Sequence, residues 1–118
     1  MVHGNKNRTF GRPRNQRTAL MRGLAVSLIR DGKIKTTEAK AKELRPFIER
    51  LVSHGKKNTV AARRIVASRL GEPSAAIIKK VFDELAPRFT ERAGGYTRVI
   101  KVGRTQAGRD EAVIEFVE

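Results

Sequence analysis

The sequence predicts an α+β fold, with a basic N-terminal arm and three to four helices packed on a small C-terminal antiparallel hairpin or three-stranded sheet. Three observations carry this expectation. Apolar residues recur at helical spacing in successive windows, around 19–29, 41–52, 60–70 and 77–85. The last quarter switches to strand alternation on either side of a turn, in residues 96–102 (YTRVIKV) and 112–117 (AVIEFV). Charge is also unevenly spread. Residues 1–30 carry Lys6, Arg8, Arg12, Arg14, Arg17, Arg22 and Arg30 with no acid, which is half of the formal +14.

Taken in order, residues 1–14 (MVHGNKNRTFGRPR) are polar and basic, are interrupted by Gly4, Gly11 and Pro13, and show no periodicity. They read as an extended arm, and residues 15–118 read as a single α+β RNA-binding domain. A first helix is expected from Asn15, as cap, to Gly32, with Ala19, Leu20, Leu24, Ala25, Leu28 and Ile29 on its apolar face. Residues 33–36 (KIKT) are too short for a helix and suit a brief strand. A second helix begins at Thr36 or Thr37, with Glu38 in its first turn, and runs to about Gly55; Pro46 should bend it.

A third helix covers about 60–70, ended by Gly71-Glu72-Pro73. Ser74 caps a fourth, whose apolar face is Ile77, Ile78, Val81, Phe82 and Leu85 and which Pro87 closes. Gly94-Gly95 breaks the chain before the hairpin, and 103–110 is its loop. Two strands cannot stand alone, so the helices must cover one of their faces.

Composition excludes much. The chain has 118 residues, a hydrophobic fraction of 39% and no Trp, so the expected core is small and aliphatic. Without cysteine there are no disulfides, no thiolate nucleophile and no cysteine-ligated zinc. His3 and His54 are too far apart for a metal pair, and no stretch approaches the roughly 18 apolar residues of a membrane helix. No nucleophile–histidine pair, phosphate loop or zinc-protease motif is present, and Asp31, Asp83 and Asp110 stand singly. An enzyme, a cofactor and a small-molecule substrate are not expected.

The positive signal is the arm. Each phosphate that a cation neutralises releases condensed counterions, giving salt-dependent binding with little sequence content. Arginine exceeds lysine, and its planar fork bridges phosphate oxygens and stacks on unpaired bases. The expected nucleic-acid-contacting residues are Lys6, Arg8, Arg12, Arg14, Arg17, Arg22, Lys35, Thr36, Thr37, Lys40, Tyr96 and Arg98. Arg63-Arg64 and Lys79-Lys80 read as solvated surface. For Thr36-Thr37, ordinary helix capping is as good a reading as phosphate binding. Gly94-Gly95-Tyr96-Thr97-Arg98 reads equally as a sugar-phosphate contact or a tight turn into a strand. Gly11-Arg12-Pro13 keeps a DNA minor-groove arm as a second class of function, although Phe10 is the only wedge-like side chain near it.

From Ile34 the residues become specific. Ile34-Lys35-Thr36-Thr37-Glu38-Ala39-Lys40-Ala41-Lys42-Glu43-Leu44-Arg45-Pro46, followed by Glu49, Leu51, Val52 and Lys56, closely resembles the signature of the bacterial large-subunit ribosomal protein seventeen family. Three further blocks resemble that family in order: residues 17–29, 82–88 and 94–101. The resemblance spans roughly residues 8–118. Two positions depart from the pattern: Val2 stands where the family usually has arginine, and Asn15-Gln16 where it usually has Ser-His.

The resemblance implies a non-enzymatic constituent of the large ribosomal subunit. It implies an α+β domain on 23S ribosomal RNA at the solvent side near the exit-tunnel rim, binding early in assembly. It also implies neighbouring large-subunit ribosomal proteins as partners, and a cytoplasmic ribosome in preference to an organellar one.

Overall fold

The longest helix is the central element because its apolar positions, Ala41, Leu44, Ile48, Leu51 and Val52, fall on one stripe with Gly55, and all six are buried. The computed structural model describes residues 14–118. Its elements are α1 (Arg14–Asp31), β1 (Lys33–Thr37), α2 (Glu38–Lys57), α3 (Val60–Arg69), α4, β2 (Thr97–Arg104) and β3 (Asp110–Phe116). Helix α4 starts as Ala75–Lys80, widens into a π-turn over Val81–Leu85 and closes with Ala86–Arg88. The α+β expectation holds, with four helices among the described residues and 33–36 recruited as a third strand. The arm expected over 1–14 lies outside the described residues except for Arg14, the first residue of α1.

The helix ends follow from local chemistry. Gly32 takes φ +81°, and its N–H reaches the Leu28 carbonyl at 2.7 Å, so α1 stops there. The Thr37 hydroxyl accepts from the Lys40 N–H at 3.3 Å and opens α2. Pro46 sits inside α2, which runs past it without interruption. Thr59 caps α3 through the Ala62 N–H at 3.0 Å. Ser74 occupies the corresponding position of α4, but its side chain makes no capping bond, contrary to expectation. Asn15, expected as the cap of α1, is its second residue, with Oδ1 accepting from the Gln16 N–H at 3.0 Å.

The π-turn was not expected, and Pro87 explains it. Proline cannot donate to the carbonyl four residues back, and its ring clashes with that carbonyl in a regular α-helix. The turn before it widens instead, and the Ala86 N–H bonds to the Val81 carbonyl, five residues back. The widened turn lies against α2 at Gly55, where an added Cβ would meet Val81 Cγ1 at 3.2 Å and the Ala86 Cβ at 3.3 Å.

The sheet is antiparallel in the order β1-β3-β2, so β3 is its centre. Ala112, Ile114 and Phe116 of β3 are buried against the helices, with Ile34 and Val99 packed beside them. Burying an aliphatic side chain as completely as Ile114 stabilises the fold by about 1.5–3 kcal/mol. The core is not purely aliphatic. The Phe89 ring lies 5.1 Å from that of Tyr96 and 6.3 Å from that of Phe116.

One apolar assignment fails. Ala19 is exposed and Leu20 only half-buried, because the buried residues of α1, Ala25, Leu28 and Ile29, all belong to its second half. Ile100 and Val102, on the outer side of β2, are 46% and 52% exposed.

Candidate nucleic-acid interface

The first half of α1 is a cationic surface with little core beneath it. Arg14 is exposed and Arg17 half-buried; Arg14 and Arg22, with Asn15 and Thr18, line one open depression. No acid occurs in the helix before Asp31, at its last position. Cations in a first turn oppose the positive pole of the helix dipole. Arg14 and Arg17 therefore disfavour the isolated helix, and an anion placed at its start would reverse that penalty. Lys6, Arg8 and Arg12 lie outside the described residues, as does Gly11-Arg12-Pro13.

Arg22 is used differently from expectation. Its Nε–H donates to the Arg69 carbonyl at 3.2 Å, and its Nη2 donates to the Ser68 carbonyl at 3.4 Å. The guanidinium thus closes the C-terminal end of α3 and brings that end beside α1. Arg64 and Arg69 of α3 are exposed, and the helix itself (VAARRIVASR) contains no acid. The exposure of Arg64 agrees with the solvated surface expected at Arg63-Arg64. Arg63 is committed to the fold, lying 4.5 Å over the Phe82 ring and donating to Asn58 Oδ1 at 3.3 Å.

The outer face of the sheet is also cationic, but its charges are matched. The register sets Glu115 between Lys33 and Arg98. Arg98 Nε lies 3.0 Å from Glu115, and Lys35 Nζ lies 3.4 Å from Glu111. Thr36 and Lys40 are half-buried, and the Thr37 hydroxyl oxygen accepts the capping bond, which leaves its O–H able to donate. At the start of α2, Glu38 lies 2.8 Å from Lys42 and 3.5 Å from Lys101. The Lys42 hydrogen bond, with added attraction from Lys101, holds its carboxyl below the usual glutamate value.

Tyr96 leaves the candidate set. It is only 3% exposed, its ring is stacked into the aromatic cluster and its hydroxyl accepts from Lys56 Nζ at 3.2 Å, so no base can stack on it. Hydrogen bonding to Ser53 first, and then to Lys56, holds its phenol below the ordinary value. Residues 94–98 form the turn into a strand. Glu49 of α2 makes that turn. Its Oε1 accepts from the Gly95 N–H at 3.1 Å, and its Oε2 accepts from the Thr97 N–H and hydroxyl at 3.4 and 3.1 Å. Among the described residues no cluster of three or more metal-ligating side chains occurs, and no helix is long and apolar enough to cross a membrane.

The sequence model of the family described as "Ribosomal protein L17" matches residues 20–117, from the middle of α1 through the end of the sheet. The chain belongs to the ribosomal protein L17 family. Curated L17 relatives align over the whole of this chain. One from Persephonella marina, named "Large ribosomal subunit protein bL17", is 51% identical, covering 100% of this chain and 96% of its own. Relatives of the same name from Thermodesulfovibrio yellowstonii and Hydrogenobaculum sp. are 49% and 50% identical, with 100% of this chain covered and 88% and 100% of theirs. The L17 match takes in α3 and the π-turn as well as the signature at 34–46, so it covers the entire hydrophobic core.

Proposed function

We propose that this chain is a structural constituent of the large ribosomal subunit that binds and scaffolds 23S ribosomal RNA. The observation that carries the reading is the acid-free start of α1, where Arg14 and Arg17 stand at the positive pole of a helix preceded by further cations. That polarity favours an anion at the start of the helix. Full-length similarity to proteins named for the large subunit supports the same assignment.

In this reading Lys6, Arg8, Arg12, Arg14 and Arg17 neutralise phosphates, letting RNA segments pack closely around the arm. Lys35, Thr36, Lys40 and Arg98 flank the RNA with smaller contributions, since the glutamates already offset Lys35 and Arg98. The position is the solvent side of the subunit near the exit-tunnel rim, occupied early in assembly, beside neighbouring large-subunit proteins in a cytoplasmic ribosome. The role is non-catalytic and needs no cofactor.

Sedimentation of the chain in cell lysate, at low salt and again at about half-molar salt, tests this, because loosely held cationic proteins wash off as counterions compete. Retention with the large-subunit peak at both is expected. Loss from that peak with recovery on DNA would replace the ribosomal reading with the minor-groove one.

A further inference from the structure

We infer that Arg22 is a positioning residue: it fixes the angle at which the first half of α1 presents the basic arm, and does not itself serve as a phosphate ligand. The inference rests on the RNA-binding reading of the arm. Helix α3 ends in a Schellman motif, in which the Glu72 N–H bonds to the Ala67 carbonyl at 2.8 Å and the Gly71 N–H to the Ser68 carbonyl at 3.1 Å. The Arg69 carbonyl is left over, and Arg22 Nε–H fills it. The guanidinium also sits at the negative pole of α3, where a cation is favourable.

The stem of Arg22 packs closely against residue 71, where a side chain would crowd it. Gly71 adopts φ +77°, and a Cβ there would lie 3.0 Å from Arg22 Cδ. Around the joint, Met21 and Leu24 pack against the core, while the fully buried residues of α1 begin only at Ala25. Gly23, exposed in mid-helix with nothing within 4 Å of an added Cβ, weakens the helix between the two halves. Arg14 is about 12 Å along the axis from Arg22, so a tilt of about 20° there would move it by about 4 Å, beyond hydrogen-bonding reach of a fixed phosphate.

The experiment measures binding of the full chain to in vitro transcribed 23S RNA over a salt series, with circular dichroism to verify helix content. Arg22→Lys keeps the charge but loses the fork, Gly71→Ala keeps Arg22 but displaces it, and Arg22→Gln removes the charge. Positioning predicts that Arg22→Lys and Gly71→Ala each weaken binding by about tenfold or more, with a salt slope lowered by more than one contact's worth although no charge is lost. If Gly71→Ala destabilises the fold, Arg22→Lys alone decides.

Wild-type binding by Arg22→Lys, with Arg22→Gln losing a slope of about 0.7–0.9, would make Arg22 a phosphate ligand and overturn the inference. A full-length Lys6→Gln/Arg8→Gln/Arg12→Gln variant separates the two levels. If it weakens binding while all three joint variants bind normally, positioning is wrong and the arm reading stands. If it too binds normally, both fail.

Discussion

The start of α1 and the outer face of the sheet both look basic in the sequence, yet they treat their cations in opposite ways. On the sheet, the register places Glu115 between Lys33 and Arg98, and Lys35 reaches Glu111, so most of the positive charge is answered within the fold. On α1 no acid precedes Asp31, and the helix dipole opposes the first-turn arginines. A cation beside a cross-strand carboxylate is explained by the protein alone. A cation at the wrong pole of a helix, with no acid in its segment, points outward to a polyanion. Counting lysines and arginines along a sequence does not separate these cases; strand register and helix polarity do.

The same contrast divides α1 internally, and there the largest effects are expected. Leu28, fully buried, should cost about 2–5 kcal/mol of stability on replacement by Ala. Leu20→Ala, eight residues earlier and half-exposed, should cost less than about 1 kcal/mol. Urea titration of both variants measures this, and equal losses would mean that the two halves of α1 are packed alike.

A smaller effect belongs to Glu49, the acid that shapes the entry to β2. Glu49→Gln cannot accept all three hydrogen bonds from Gly95 and Thr97, and should lose about 1–3 kcal/mol in the same titration. RNA affinity in folded protein should be unchanged, since the acid serves the sheet side.

The smallest effect is read from pH. The folded state depresses the Glu38 carboxyl below its ordinary value of 4.5, so its stabilisation is present above that pH and is lost as the pH falls through the folded value. Lys42→Met should therefore destabilise the protein near neutrality, and the difference from wild type should shrink as the pH drops below 4.5. A difference that stays constant into acid would show that Lys42 acts by packing.

Much of the scaffold was legible because period and punctuation agree. Thr37, Gly32 and the KIKT strand occupy the places their chemistry suggests. What could not be read depends on contacts across the chain. Phe89 lies outside any periodic run and Tyr96 only opens one, so nothing local marks them as core, and Tyr96 could as easily have been a stacking platform. The π-turn needs a proline and a glycine, Pro87 and Gly55, that are 32 positions apart. Arg22 looked like one more phosphate ligand because its partner is a leftover carbonyl 47 residues away. Ala19 and Leu20 continue the apolar period of α1 past the edge of the core, and periodicity alone does not say where a core ends.

The most direct measurement compares two full-length variants, each lacking two charges: Arg14→Gln/Arg17→Gln at the start of α1, and Lys35→Gln/Arg98→Gln on the sheet. Each is titrated onto 23S RNA transcript over a salt series. The α1 pair should lower the salt slope by nearly two contacts, roughly 1.4–1.8, and the sheet pair by much less. A larger loss for the sheet pair would contradict the assignment of α1 as the RNA-facing side.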